Sequence, residues 1–239
     1  MEIVCPACPI KNKVKYMKTY SWVAIFDWDG VIIDSAAYHE RSWHLLAAEA
    51  GKTLPVDFFK KTFGIKSEWI IPHVLHWTQD SAQVKELCHK RDVFYREMIT
   101  KEGIDPLPGT VTWLERLKKA GIPCAIGSST VRANIDLVLQ QKNLAAFFQF
   151  IVSAEDVKQG KPDPQVFLKA AAGLRADPHH CVVFEDAHVG LQAARAAGMH
   201  VVGVASTHEA ETLAEADLVC HRLDELQVDE LNKWFCKPR

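Results

Sequence analysis

Short runs of β-branched and other apolar residues alternate along the chain with helical stretches, and this alternation constrains the fold more than any other feature. Six of the runs predict β-strands. Their bounds are Val23 to Asp27, Ile122 to Ser128, Phe148 to Ser153, Cys181 to Glu185, Val201 to Ala205 and Leu218 to Cys220. Most are apolar throughout, which is typical of strands covered by helices on both faces. The pattern therefore predicts an α/β fold with a doubly wound, Rossmann-like parallel sheet.

The segment from Ser35 to about Gly103 interrupts this alternation, because it contains amphipathic stretches and no strand-like run. We interpret it as an all-helical lobe inserted after the first strand. Residues 104–109, with two prolines and a glycine, have the composition of a return linker. The predicted organisation is a disordered leader over 1–16, a core built from 17–34 and 105–239, and the inserted lobe over 35–104.

One predicted helix carries signals at both ends. Thr110 or Thr112 is expected to cap the stretch VTWLERLKKA, with Glu115 placed for a capping box. Gly121 is expected to close the helix, because glycine adopts the left-handed conformation that ends many helices.

Composition and charge exclude several classes of function. Hydrophobic residues make up 48% of the chain and charged residues 24%, as in folded globular proteins. A formal net charge of -2 provides no basic surface for nucleic acid. No apolar stretch approaches the ~20 residues needed to cross a bilayer, and the N-terminal segment lacks the apolar run of a secretory signal. We therefore expect a cytoplasmic protein without nucleic-acid or membrane partners and, since heptads are absent, a monomer.

The seven cysteines favour reduced thiols over disulfides, because their number is odd and they are scattered along a long chain. Cys5 and Cys8 form a CxxC motif that supplies half of a zinc site. No second CxxC or HxxxH follows to complete it. A frayed leader is the simpler interpretation, and a leader that holds zinc or a partner is the alternative.

Polar residues follow several predicted strands at the points where ligands bind to parallel sheets. They are Asp27 and Asp29 after the first strand, Ser128 after the second, Glu185 and Asp186 after the fourth, and Lys161 from the loop GKPDP. Converging carboxylates repel one another unless a cation lies among them. The hard divalent ion that best suits carboxylate oxygens is Mg²⁺, so we expect Mg²⁺ as the cofactor.

The spacing of Asp27 and Asp29 sends both side chains to one side of an extended backbone and Trp28 to the other. One carboxylate can hold the metal while it attacks an electrophile. The other can donate a proton to the leaving oxygen and later accept one from the incoming nucleophile. Lys161 and Ser128 are suited to binding a tetrahedral oxyanion. Phosphoryl transfer to or from a small phosphorylated molecule is the reaction that uses this set.

Each of these residues also has a simpler structural explanation when taken alone. Ser128, Ser129 or Thr130 is able to cap the helix that follows, and Asp186 is able to cap a helix starting at the next residue. The loop GKPDP is typical of a turn, and the first two aspartates would suit an exposed turn at Gly30. The site hypothesis fails only if all these explanations hold together.

Four motifs, DWDGVIIDS, AIGSS, GKPDP and VVFEDA, resemble those of the haloacid dehalogenase superfamily of phosphotransferases. They occur in the family's order, and the resemblance runs from about Val23 to about Thr207. It implies that Asp27 is the nucleophile that forms an aspartyl-phosphate and that Asp29 is the general acid and base. An aspartate at position 29 favours phosphate chemistry over dehalogenation.

The resemblance also implies the binding roles. Ser128, its neighbour Ser129 and Lys161 match phosphate-binding positions. The implied Mg²⁺ ligands are Asp27, the backbone carbonyl of Asp29 and Asp186, with Glu185 as a neighbouring outer carboxylate.

The inserted lobe resembles the family's cap, which closes over the site and selects the substrate. The stretch DWDGVIIDSAAYHERSW is similar to the start of the β-phosphoglucomutase subgroup. This similarity implies that His39 lies near Asp29 and that Arg91 is a basic cap residue, although a partly buried surface histidine is the simpler explanation of His39. We expect His39, Lys66 and Arg91 to contact the substrate.

One departure from the mutase subgroup bears on the reaction. The mutase cap carries an arginine that binds the distal phosphate, whereas Ser67 stands at that place in GIKSE. Neither Ser67 nor Lys66 reproduces the bidentate fork of arginine. This favours a phosphatase acting on a small organic monophosphate, such as a sugar phosphate. A β-phosphoglucomutase-like isomerase and a non-catalytic binding module that uses the CxxC motif remain alternatives.

Overall fold

The computed structural model describes residues 21–235, which form a parallel six-stranded sheet with helices on both faces. The strand order is β3-β2-β1-β4-β5-β6. The strands are β1 Val23–Phe26, β2 Cys124–Gly127, β3 Phe148–Val152, β4 Cys181–Glu185, β5 His200–Val204 and β6 Leu218–Cys220. All six predicted strands are confirmed. The bounds of β4 and β6 are as predicted, and the ends of the other four differ by at most two residues. The predictions for the leader and for Cys5 and Cys8 lie outside the described residues.

Nine α-helices are described between residues 21 and 235. They are α1 Ala36–Glu49, α2 Phe58–Thr62, α3 Ser67–His73, α4 Ser81–Glu102, α5 Thr110–Ala120, α6 Arg132–Gln141, α7 Gln165–Gly173, α8 His188–Ala196 and α9 Val228–Asn232. Short 3-10 turns lie at Ala145–Phe147, Ala154–Asp156, Pro178–His180, Ala210–Leu213 and Leu223–Glu225. The first four helices form the inserted helical cap, and the predicted fold class is confirmed.

The apolar side chains of the sheet pack against helices on two opposite faces. On one face, Phe26 packs with Trp113 of α5 and Val138 of α6. On the other face, Ile25 packs with Phe167 of α7. Full burial of each such side chain contributes about 1.5–3 kcal/mol to folding. Burial on both faces explains why most of the strand sequences are apolar throughout.

The direction in which successive strands are added to the sheet reverses between β1 and β4. Strands β2 and β3 extend the sheet on one side of β1, and β4 to β6 extend it on the other. Residues Phe26 of β1 and Phe184 of β4 are paired in register. In open parallel sheets the ligand site lies at the carboxyl ends of the strands at this point. Asp27 and Asp186 directly follow these two strand ends.

The cap has a small core of its own, built by Trp43, Leu46, Phe58, Ile70, Ile71, Val84 and Cys88. The two chain segments that join it to the sheet domain run side by side. Asp34 N–H donates to Asp105 O at 3.3 Å, and Leu107 N–H donates to Ile32 O at 3.0 Å. Helix α3 did not emerge from the sequence, since it has only seven residues and contains Pro72.

The predicted cap of α5 is wrong. The helix begins at Thr110 itself, and its N-cap is Gly109 with φ of 89°. A Cβ on Gly109 would lie 2.4 Å from Asp224 Oδ1, so only glycine fits there. Thr110 is buried, and its hydroxyl lies 3.4 Å from Val31 O. The prediction that Gly121 closes the helix is confirmed by its left-handed φ of 74°.

The cysteines of the described chain are buried free thiols, namely Cys88, Cys124, Cys181 and Cys220. Burial raises the pKa of each thiol to about 12, so they stay protonated and unreactive. Within residues 21–235, no helix combines the length and the hydrophobicity needed to span a membrane.

Candidate active site

Three buried carboxylates meet at the carboxyl ends of β1 and β4. Asp27, Glu185 and Asp186 each place an oxygen within 4.8 Å of the others. The pairing of β1 with β4 brings them together across a separation of more than 150 residues. Such a group of like charges, enclosed by protein, favours the binding of a cation.

The three carboxylates differ in their hydrogen bonding. Glu185 Oε2 accepts from Lys161 Nζ at 2.7 Å, while its Oε1 accepts from the backbone N–H groups of Asp186 at 3.2 Å and Ala187 at 3.0 Å. Both oxygens of Asp186 and Oδ1 of Asp27 are buried without a partner among residues 21–235. Unsatisfied buried oxygens are costly, and they are the ligands that Mg²⁺ prefers. The donor set therefore fits a divalent cation held by Asp27 and Asp186, with Glu185 outside.

Burial and like charges raise the pKa of two of these groups. Burial, and then the negative charge of Glu185, raises the pKa of Asp27 to about 7 despite the opposing charge of Lys161. Burial followed by the charges of Glu185 and Asp27 raises the pKa of Asp186 well above its ordinary value. A bound divalent cation reverses both effects, because it stabilises the ionised carboxylates.

Lys161 lies between two of the carboxylates. Its ammonium is 2.9 Å from Asp27 Oδ2 and 2.7 Å from Glu185 Oε2, and its side chain is 1% exposed. Burial acts to lower the pKa of Lys161, but the charges of Asp27 and Glu185 outweigh it and raise the pKa. Lys161 is therefore charged, and it can neutralise an anionic group that approaches Asp27.

Asp29 accepts three side-chain hydrogen bonds. They come from Ser35 Oγ at 2.5 Å, from His39 Nε2 at 2.8 Å and from Thr130 Oγ1. Burial acts to raise the pKa of Asp29, but the charge of His39 and the hydrogen bonds from His39, Ser35 and Thr130 lower it to about 2. Asp29 is therefore ionised in this arrangement, and His39 is one of its three hydrogen-bond partners.

The serine loop after β2 faces the same cavity. Ser128 is fully buried, and its Oγ accepts the backbone N–H of Thr130 at 3.1 Å. The N-cap of α6 is Val131, without a side-chain hydrogen bond, and Ala187 is the N-cap of α8. Capping therefore does not explain Ser128, Ser129 or Asp186.

Two glycines permit the close approach of these groups. Gly30 has φ of 74°, and a Cβ there would lie 2.1 Å from Asp186 Oδ2. A Cβ on Gly190 of α8 would lie 2.0 Å from the carboxyl carbon of Glu185. A side chain at either position would displace the carboxylates.

On the cap side, the cavity is lined by aromatic, aliphatic and polar side chains. They are His39, Trp43, Phe59, Thr62, Phe63, Ile65, Ser67, Ile70 and Arg91. The His39 ring stacks on Tyr95 with 4.4 Å between ring centroids. Arg91 donates to Ser67 Oγ at 2.7 Å and to Asp92 Oδ1 at 2.6 Å.

Comparison with protein families matches residues 24–204 to the family described as haloacid dehalogenase-like hydrolase. The chain belongs to this family. The predicted family and enzyme class are thereby confirmed. In this hydrolase, three of the four motifs lie at the ends of β1, β2 and β4, and GKPDP lies in the loop before α7.

Two curated relatives of the hydrolase and the solved structure of a similar protein are informative. The hydrolase is 35% identical over 213 residues to the chloroplastic 5-amino-6-(5-phospho-D-ribitylamino)uracil phosphatase of Arabidopsis thaliana. The match covers 88% of this chain but only 57% of that protein. It is 33% identical over 215 residues to the β-phosphoglucomutase of Bacillus subtilis, covering 87% of this chain and 93% of the relative. The crystal structure of β-phosphoglucomutase from Clostridium difficile has a TM-score of 0.79 and 29% identity, and covers 89% and 96% of the two chains.

The position of Lys66 in the hydrolase differs from the expectation of substrate contact. Its ammonium donates to the core carbonyls of Ala154 at 2.6 Å and Val157 at 3.0 Å. It is absent from the residues that line the cavity beside Asp27. The side chain leaves the start of α3 and packs over Gly160, where a Cβ would lie 2.7 Å from Lys66 Cγ. Lys66 therefore joins the cap to the core of the hydrolase and does not reach the cavity.

Two residues that hold Asp29 were missed from the sequence. Ser35 is the last residue of the motif DWDGVIIDS, and Thr130 lies 101 positions from Asp29. The signal for Ser35 was its place within a motif, but Thr130 was considered only as a helix cap. Its role depends on the pairing of β1 with β2, which no local pattern reveals.

Proposed function

We propose that this hydrolase is a Mg²⁺-dependent phosphatase that cleaves a small organic phosphate monoester, such as a sugar phosphate, through an aspartyl-phosphate on Asp27. The observation that carries the proposal is the state of the Asp27 carboxylate. One oxygen is held by Lys161 at 2.9 Å, and the other has no partner among the described residues and lies beside the open oxygens of Asp186. An oriented carboxylate with a free oxygen is suited to nucleophilic attack.

In the first step, one oxygen of the Asp27 carboxylate attacks phosphorus, and the bond from phosphorus to the ester oxygen breaks. Lys161 neutralises the phosphoryl charge, and Ser128 with Ser129 binds the phosphoryl oxygens. Mg²⁺, when bound by Asp27, Asp186 and the backbone carbonyl of Asp29, would stabilise the same developing charge and the ionised carboxylates. Glu185 orients Lys161 and remains outside the metal site.

The proton needed by the leaving oxygen comes from the pair formed by Asp29 and His39. The two side chains lie 2.8 Å apart. This distance allows a proton to pass from one to the other across a single hydrogen bond. In the second step, the carboxylate of Asp29 accepts a proton from water, which attacks the aspartyl-phosphate and releases inorganic phosphate. The same pair therefore serves as acid first and as base afterwards.

The mutase activity of two relatives makes a β-phosphoglucomutase-like isomerase the second candidate. A mutase must hold a bisphosphorylated intermediate and return the phosphoryl group to sugar. Ser67 lacks the charge and the fork to bind a distal phosphate, which supports hydrolysis. The name of the Arabidopsis relative, a phosphatase of a phosphorylated ribityl compound, supports it as well.

A panel of phosphorylated metabolites, assayed with and without Mg²⁺, tests the proposal. We expect Mg²⁺-dependent release of inorganic phosphate and its loss in the Asp27→Asn variant. Conversion of β-glucose 1-phosphate to glucose 6-phosphate with little free phosphate would favour the mutase instead. Deletion of residues 1–16 tests the binding module, which predicts a loss of zinc; unchanged metal content and activity would exclude it.

A further inference from the structure

The cap end of the cavity contains one arginine among the described residues. Arg91 of α4 lies in the lining together with Ser67 and Trp43, and the residue is only 8% exposed. Its guanidinium carbon lies 5.2 Å from the centroid of the Trp43 ring. A buried cation at this place would, by itself, suit a second phosphate on the substrate.

The charge of this arginine is already neutralised within the cap. Asp92, the next residue, is 5% exposed and accepts a hydrogen bond from Arg91 Nη2 at 2.6 Å. Asn134 of α6 lies 3.3 Å from the same carboxylate oxygen and holds it in place. The ion pair therefore has no net charge, and Asp92, although it does not line the cavity, offsets the positive charge that Arg91 presents to a ligand there.

One nitrogen of Arg91 nevertheless makes no hydrogen bond to the described residues. Nη1 donates to Ser67 Oγ, Nη2 to Asp92, and the buried Nε finds no acceptor among residues 21–235. An unpaired buried donor is costly, so an acceptor supplied by a ligand would be stabilising. The aromatic rings of Trp43, Phe59 and Phe63 form an apolar wall beside it.

We propose that this end of the cavity selects an uncharged substrate group that carries a hydroxyl or carbonyl acceptor, and that Asp92 excludes substrates with a second phosphoryl group. The proposal rests on the proposed phosphatase function and specifies its substrate class. A phosphoryl group brings a charge of about -1.5 to -2 at neutral pH. Asp92 is thus a specificity-determining residue that acts through the net charge of its pair with Arg91.

The test compares fructose 6-phosphate with fructose 1,6-bisphosphate, which differ only in the second phosphoryl group. With Mg²⁺ present, the kcat/KM of the wild-type chain is expected to be at least about tenfold higher for the monophosphate than for the bisphosphate. Asp92→Asn removes the negative charge that neutralises Arg91. It should therefore lower the ratio of the two kcat/KM values, monophosphate over bisphosphate, about tenfold. The Arg91→Gln/Asp92→Asn double variant keeps donors without a net charge, so it should restore the preference. Asp136→Asn, at an exposed carboxylate, is the matched control and should leave the ratio unchanged.

Equal kcat/KM values for the two sugars in the wild-type chain would overturn the inference. An unchanged ratio in an Asp92→Asn variant that is folded, as judged by a native circular dichroism spectrum, would overturn it as well. If wild type hydrolyses neither sugar, the proposed function fails for them, and binding decides the inference separately. Calorimetric titration of Asp27→Asn should then show tighter binding of the monophosphate. Equal affinities, or no binding of either sugar, would overturn the inference.

Discussion

Nε2 of His39 lies 2.8 Å from Oδ1 of Asp29, so a side chain of the cap is hydrogen bonded to a carboxylate of the core. His39 belongs to α1, whereas Asp29 follows β1. The hydrogen bond therefore places an imidazole of the cap beside the carboxylate to which the proposed mechanism assigns proton transfer.

Replacement of His39 by Gln should lower kcat by about 10²-fold or more, because the proton-transfer pair is lost. The pKa of Asp29 should rise from about 2, since His39 supplies both a charge and a hydrogen bond to the carboxylate. The acidic limb of the profile of kcat against pH should therefore move to higher pH. His44→Gln, on the exposed side of the same helix, is the control. An acidic limb at the same pH in His39→Gln as in wild type would contradict the claim that His39 lowers the pKa of Asp29.

Lys161→Met should destabilise the fold by about 3–5 kcal/mol, because it leaves two buried carboxylates without their cation. The measurement is the free energy of unfolding in urea. The second variant, Lys161→Met/Glu185→Gln, removes one of the stranded charges and should recover part of the loss. Lys118→Met, on the surface helix α5, is expected to have little effect. A loss in Lys161→Met no larger than in Lys118→Met would refute the buried pairing.

Mg²⁺ should stabilise the chain more at pH 8 than at pH 5. The pKa of Asp27 rises from 3.8 to about 7 on folding without metal, so its protonated form favours folding below pH 4. This contribution is lost as the pH rises through 7, where the buried carboxylate ionises. Mg²⁺ binds the ionised form, and so it should raise the Tm most above pH 7. Equal Tm increases at pH 5 and pH 8 would argue against Asp27 as a ligand.

Lys66→Met should loosen the cap without unfolding the core. Two hydrogen bonds from a charged donor to Ala154 O and Val157 O are lost, each worth about 1.5–3 kcal/mol. We expect kcat/KM to fall about tenfold, and amide hydrogen exchange to rise in the cap helices more than in the sheet. Lys60→Met, at an exposed lysine of α2, is the matched control. Unchanged exchange in the cap of Lys66→Met would show that the contact does not hold it closed.

Local pattern was sufficient for the sheet and for the residues at its strand ends. Strands buried on both faces must be apolar throughout, so each run could be recognised without its neighbours. Asp27 and Asp29 stand directly after such a run, and Asp186 follows another. Their convergence followed from the geometry of parallel sheets, because all strands end at the same edge.

Contacts between distant segments decided the rest. The sequence could not show that Thr130 binds Asp29 across 101 positions, or that Lys66 crosses 88 positions to reach Ala154 O. Arg91 and Asp92 are adjacent in sequence, but the burial of their ion pair depends on the surrounding helices α1, α3 and α6. Side-chain partners of this kind depend on packing between elements, and a single sequence records the elements but not their packing. The sequence alone therefore determined the fold class and the chemistry expected at the strand ends, whereas tertiary packing determined the charge presented by the cap.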